Sequence, residues 1–334
     1  LCRQRVGAGS ESERRCFALQ HHHYSPEIQT ALRFTLNWGA LFVVNENKRP
    51  EASKQTENHD AVTVESFGRE WARFDQSSLT ELELQKMFGE YFRIFPWSDL
   101  PTSSVGADVG CGSGRWASIV AGMVGHLHCV DASAEALDVS RRVLAGRGNV
   151  SFHHASVAAM PLAAKSLDFC YSLGVLHHVP DTAAAVRSCA KLLKPGAPML
   201  LYLYYALDNR PIWFRALWRL SDVLRTFVAR LPDGAKSLVT DMIALTVYWP
   251  LSRLALLLEK IGISVAGLPL SHYRHHSFYT LRTDSRDRFG TPLEQRFTLK
   301  QIKKMMTDAG LEQLVHSSQP PFWCVVGRRS MNGE

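Results

Sequence analysis

Several things are scarce in this chain of 334 residues. Its seven cysteines (Cys2, Cys16, Cys111, Cys129, Cys170, Cys189, Cys324) are scattered, and no C-x-x-C spacing occurs. That leaves no cysteine framework for a metal or a redox couple, and predicts buried free thiols in a reducing compartment. Long apolar runs are also lacking. The stretch 238–263 is apolar, yet its longest uncharged run, 242–252, falls short of the about 20 residues a spanning helix needs. The first sixty residues hold no sustained apolar leader, since 40–44 is too short for one. A cytoplasmic location is the expectation. The first methionine is Met87, which leaves an alternative start codon, a fragment and an over-extended gene reading all open. Hydrophobic content of 46% and charged content of 21% are ordinary for a globular protein. The length is generous for one α/β domain and short for two. The net charge of +7 is uneven: residues 205–334 carry 18 basic and 11 acidic side chains, while the rest is nearly balanced. The excess points to the substrate side or to an anionic surface.

What is present is a glycine turn in a telling place. Asp108-Val109-Gly110-Cys111-Gly112-Ser113-Gly114 follows a short apolar run and opens a helical segment, 115–124. A second apolar run ends at Asp131. Strand, glycine turn, helix, strand and acid make a nucleotide-cofactor layout on a parallel sheet. The glycines let backbone approach a ligand where a Cβ would collide, and the acid can accept from both hydroxyls of a ribose. The spacing is G-x-G-x-G, whereas a dinucleotide fingerprint reads G-x-G-x-x-G. Asp108, on the strand itself, suits a ligand with a cationic amino group better than a pyrophosphate.

At these residues the chain resembles the class I S-adenosylmethionine (SAM)-dependent methyltransferases, whose first motif is typically D-x-G-C-G-x-G. The resemblance continues through Phe152-His153-His154-Ala155-Ser156 with Met160-Pro161-Leu162, and through Ser166-Leu167-Asp168-Phe169-Cys170-Tyr171-Ser172. It then runs through Gly174-Val175-Leu176-His177-His178-Val179 and Leu192-Leu193-Lys194-Pro195-Gly196. Ordered motifs across about 105–205 match the type 11 methyltransferase group, which includes quinone-biosynthesis C-methyltransferases. The resemblance implies an α/β fold with a doubly wound, seven-stranded, mostly parallel sheet (Rossmann-like), and SAM as cofactor. It places cofactor contacts at Asp108, Gly110, Cys111, Gly112, Ser113, Gly114, Asp131, Ala132, Ser156, Val157, Ser172, Leu173 and Gly174. Ser156 stands where the family usually has Asp or Glu to accept from the adenine amino group, so weaker or backbone-based adenine recognition is expected.

Alternating patterns predict strands at 105–109, 126–131, 150–154, 167–172 and 198–205, with helices at 115–124, 133–145 and 181–193. Thr298 with Gln301 forms a capping-box pattern before a last helix, followed by two strands over 311–316 and 322–327. Five segments result: a poorly ordered 1–60, a helical cap over 61–104, the SAM-binding core 105–205, a helical insertion 206–297 serving as substrate lid, and a closing segment 298–334. His21-His22-His23 reads as a solvated loop, and no metal site is expected. In the cap, Phe67, Trp71 and Phe74 share one helical face, and Glu70 and Trp71 are placed to reach the cofactor. The insertion carries a helix pattern over 211–231 with interleaved arginines. Two functional readings stand beside inert packing: helices pairing over an apolar substrate pocket, or a Trp/Arg-rich helix resting on an anionic membrane.

Methyl transfer is a displacement at the sulfonium methyl, and a hydroxyl or amine acceptor also needs a base for its proton. His177 and His178, after the fourth strand, are the candidate bases; holding the loop is the alternative role. Trp71, His178, Tyr204, Tyr205, Tyr273 and His276 are the candidate acceptor contacts. The leading expectation is transfer to a small-molecule acceptor, lipid-like, glycosidic or aromatic. RNA or protein methylation is the alternative, although no N-P-P-Y loop and no RNA-binding module is present, so no nucleic-acid partner is expected. A non-catalytic SAM-binding protein is the third reading.

Overall fold

In the computed structural model residues 58–331 are described. The expectations for residues 1–57, including the loop at His21, His22 and His23, lie outside the described residues. Two helices come first. Helix α1 (Ala61–Arg73) is capped by the Asp60 side chain, which accepts from Thr63 N. Helix α2 (Glu81–Tyr91) is capped by Thr80, which accepts from Glu83 N. Both caps satisfy amides that a helix start leaves without partners.

The alternating pattern then yields β1 (Val105–Val109), α3 (Ala117–Val120), β2 (His126–Asp131), α4 (Ala134–Val143), β3 (Val150–His154), β4 (Phe169–Leu173), α5 (Thr182–Leu192) and β5 (Pro198–Tyr202). Helix α3 is shorter than the 115–124 predicted, and Gly122, with its poor helix propensity, falls where it would continue. Three insertion elements follow: α6 (Ile212–Val228), the joined pair α7 (Asp233–Ile243) and α8 (Trp249–Lys260), and α9 (Phe278–Gly290). The described chain closes with α10 (Leu299–Asp308), β6 (Leu311–His316) and β7 (Cys324–Arg329). The Thr298–Gln301 capping box forms as predicted.

The seven strands make one sheet in the order β3-β2-β1-β4-β5-β7-β6. All neighbours are parallel except β7, which runs antiparallel to β5 and β6. This is the doubly wound, mostly parallel sheet expected. One face packs Leu176, Val186, Met199 and Ile302, the other Trp116, Leu137, Tyr171 and Leu200. Cys111, Cys129, Cys170, Cys189 and Cys324 are buried free thiols. The strand order reverses between β1 and β4, which opens a crevice at their carboxyl ends.

The insertion departs from expectation. Helices α7 and α8 are joined by a wide turn, Ala244–Tyr248, into one 28-residue helix, Asp233–Lys260. Pro250 follows that turn and has no N–H to give back to it. By length and composition the helix is long and apolar enough to cross a bilayer. Its inward side is mixed: Lys236, Thr240 and Ser252 are buried alongside Ala244, Tyr248 and Ala255. Lys236 Nζ donates to Gly290 O at 3.2 Å, and Ser285 Oγ donates to Thr240 O at 2.8 Å. Leu238, Leu245, Leu251, Leu254 and Leu257 face outward, as do Ile212, Leu220 and Phe227 of α6. The apolar sides predicted to line a lid therefore point away from the core.

Candidate active site

A cavity occupies the crevice. Gly110, Cys111, Gly112 and Ser113 line it from the turn after β1, Asp131 and Ala132 from the end of β2, Ser156 and Val157 after β3, and Leu173 and Gly174 after β4. Gly110 and Gly112 have φ of +78° and +54°, a region that favours glycine. A Cβ at Gly112 would stand 3.0 Å from the Trp71 ring, and one at Gly110 would stand 2.3 Å from Val175 Cγ1. Asp131 accepts from Gly112 N through Oδ2 and from Ser133 N through Oδ1, both at 2.9 Å. Burial pushes its pKa up while these amides oppose the shift. A cradle closed to side chains, with a fixed carboxylate at its rim, fits a nucleoside carrying two ribose hydroxyls.

Three residues expected to touch the cofactor stand behind this wall. Asp108 is buried and accepts from Tyr171 Oη at 3.0 Å. Burial raises its pKa to about 8, against the pull of that hydrogen bond. Ser172 Oγ donates to Val109 O at 2.8 Å, and Gly114 packs on Ser140. All three brace the turn rather than line the cavity. Asn58, His59 and Asp60, the end of the segment expected to be poorly ordered, lie on the opposite wall. Asn58 is held there by a pair of 2.9 Å hydrogen bonds with the Asp181 backbone.

A second cavity adjoins the first. The two share Phe67, Trp71, Arg115, Trp116, Leu173 and Gly174. The second is polar and aromatic. Glu70 and Tyr91 enter it from α1 and α2, Tyr202, Tyr204 and Tyr205 from the end of β5, and Tyr248, Tyr273, Asp284, Asp287 and Arg288 from the insertion. Tyr204 Oη donates to Asp287 Oδ2. Arg288 and Arg296 both pair with Glu294, at 3.1 and 2.8 Å. Burial raises Asp284 to about 6. Glu70 Oε1 is buried without a partner, and burial together with the nearby Asp287 pushes that carboxyl well up.

The two histidines separate in role. His177 is fully buried, neither ring nitrogen has a partner, and its ring stacks 3.9 Å from Tyr204. Burial holds it far below the usual imidazole range, and it lines neither cavity. His178 lines the first cavity. Its Nδ1 lies 2.6 Å from Leu293 O, a contact only an N–H can make, so the neutral ring carries its lone pair on Nε2. That Nε2 has no partner. Burial lowers the His178 pKa while Asp287 opposes the shift.

Among the predicted acceptor contacts, Trp71, Tyr204, Tyr205 and Tyr273 lie on the second cavity, and His178 on the first. His276 lies on neither; it is buried near Glu83, with Nδ1 3.8 Å from Oε1. Glu70 faces the second cavity rather than the first. Asp284, Asp287 and Arg288, which the sequence groups with the Tyr273 cluster as suiting a ring-bearing or anionic acceptor, are three and four apart on one face of α9. Arg296, beyond that helix, is the lining residue the sequence did not single out.

The Methyltransferase domain family model matches residues 107–201, the segment that builds the first cavity. Over those residues the chain is similar to the class I SAM-dependent methyltransferases, and the match implies SAM as the methyl donor. Among curated relatives, the ubiquinone biosynthesis O-methyltransferase of Aromatoleum aromaticum is 37% identical over 27% of this chain and 39% of its own length. The protein of that name from Xanthomonas axonopodis pv. citri is 29% identical over 53% of this chain and 71% of its own. The chain thus spans about two-fifths of the first relatives it matches. A solved SAM-dependent methyltransferase from Methanosarcina mazei is 15% identical, with a TM-score of 0.42, covering 71% of this chain and 99% of that one. The methyltransferase core ends near β5; the second cavity is walled largely by residues outside it.

Proposed function

We propose that this protein methylates a small-molecule acceptor bearing a hydroxylated ring, held in the second cavity. The observation that carries the reading is the common wall: Trp71, Leu173 and Gly174 border both cavities, so donor and acceptor meet there. Bound SAM supplies a methyl already activated by positive sulfur. The chain's residues align, exclude water and take a proton. His178, on the first cavity, carries an unpartnered Nε2, the lone pair that takes the acceptor's hydroxyl proton as the new O–C bond forms. Tyrosine rings stack on a planar acceptor, and Asp284 and Asp287 accept from its other hydroxyls. The relatives named for ubiquinone O-methylation support an oxygen acceptor. The test is transfer of labelled methyl from SAM to a metabolite library, read by mass. Products that are O-methylated phenols support the proposal, and labelling confined to RNA or protein overturns it.

The outward apolar side of the insertion supports a peripheral seat on an anionic bilayer. Ile212, Leu220, Phe227, Leu245, Leu254 and Leu257 are exposed there, with Arg215 and Lys260 exposed on the same helices and Arg230 just beyond α6. The acidic residues of these helices are engaged in ion pairs: Asp222 with Arg225, Asp233 with Arg286, Asp241 with Arg73, and Glu259 with Arg274. An apolar side rimmed by cations suits anionic headgroups. Vesicle flotation tests this. Flotation with anionic but not zwitterionic lipid is expected, and failure to float with either refutes it.

A further inference from the structure

Outside both cavities, three metal-ligating side chains converge. Glu90 lies at the end of α2, His272 on the short helical turn Ser271–His275, and His276 directly after it, before α9. One ligand atom from each stands within 4.8 Å of the others. Glu90 Oε2 and His276 Nδ1 are buried without a hydrogen-bond partner. The His276 side chain is only 3% exposed. The two imidazole rings lie 5.0 Å apart.

We propose that Glu90, His272 and His276 bind a divalent first-row cation of the zinc type. Two imidazoles and one carboxylate form a recurrent zinc ligand set, with a fourth position left for water. In a tetrahedral site of about 2.0–2.1 Å bonds, ligand atoms stand roughly 3.3 Å apart, so a bound ion draws this group inward by about 1 Å. A simple Glu–His ion pair does not account for the cluster. Among the described residues no ion pair joins Glu90 to either ring. Lys86 and Arg274 oppose a cation here, as their effect on His272 shows. Glu83, 3.8 Å from His276 Nδ1, opposes them with a second carboxylate. It is held by Ser277 N at 2.9 Å and by Thr280 Oγ1 at 2.7 Å. The position gives the ion a purpose. Tyr91 and Tyr273, the chain neighbours of Glu90 and His272, both line the second cavity. A cation here ties the insertion to α2 and fixes those two rings.

The test uses the full chain, stripped with a chelator and titrated calorimetrically with Zn²⁺, then with Co²⁺ while the visible spectrum is followed. One zinc per chain is expected, together with the visible bands of four-coordinate cobalt and a rise in Tm on zinc addition. Glu90→Gln, which keeps the side chain's shape, and His272→Ala each weaken zinc by more than the roughly 10- to 100-fold that losing an outer partner costs, and each loses the Tm rise. Binding of S-adenosylhomocysteine confirms that each variant is folded. Absence of zinc uptake overturns the proposal. So does uptake unchanged in both variants, which moves the ion to another histidine group such as His128 and His153, 3.0 Å apart on neighbouring strands.

Discussion

Asp131→Ala is the perturbation whose consequences follow most directly from the geometry. The carboxylate already accepts from Gly112 N and Ser133 N, and its remaining lone pairs face the cavity. A hydrogen bond to a charged group contributes about 1.5–3 kcal/mol. Losing two, one per ribose hydroxyl, costs at least about 3 kcal/mol, and at about 1.4 kcal/mol per tenfold the dissociation constant rises roughly 150-fold. The two amides also lose their acceptor, so the fold loses about 1–3 kcal/mol. Relief of the buried carboxylate's desolvation, visible in its raised pKa, offsets part of that. Asp131→Asn keeps one acceptor oxygen and should fall between. The assay is calorimetry with S-adenosylhomocysteine, alongside thermal unfolding. A folded Asp131→Ala protein that binds within a few-fold of the parent would refute the ribose contact.

His178→Ala should lower kcat by about 10²–10⁴-fold, the usual contribution of a general base. His177→Ala should instead lower Tm with kcat preserved, because that ring packs on Tyr204 and reaches neither cavity; comparing both readouts in both variants separates the roles. Gly110→Ala combines a positive φ, about 1–2 kcal/mol, with overpacking against Val175, about 1–3 kcal/mol, so Tm should fall by several degrees in a melting experiment. Asp108 sets a pH dependence. Its folded pKa of about 8 exceeds the ordinary 3.8, so the folded state holds the extra proton and stability falls as pH rises from near 4 through 8. Asp108→Asn should flatten that slope in melts taken between pH 5 and 8.5; an unchanged slope would argue against a protonated Asp108.

The sheet was legible because its signals are local. Alternating apolar runs, the glycines at positive φ and the acid ending β2 each had one conformation that satisfied them. The turn fixed where Gly110, Gly112 and Asp131 stand. It did not reveal that Asp108 and Ser172 turn away from the cavity, since which face of a strand meets a ligand depends on neighbours such as Tyr171. The insertion misled for a physical reason. Apolar periodicity normally marks the inward side, but Lys236, Thr240 and Ser252 face inward here. Helix α9 and the residue ending it offer Ser285, Arg286 and the Gly290 carbonyl as partners across that packing. With these polar groups paired on the inside beside Ala244, Tyr248 and Ala255, the leucines were left outside, and the second cavity became a place for tyrosines and carboxylates.

The most direct measurement is calorimetric titration of the full chain with SAM, S-adenosylhomocysteine and NAD. The account predicts one site for each sulfur nucleoside and no heat from NAD. Binding of NAD without binding of either sulfur nucleoside would contradict it.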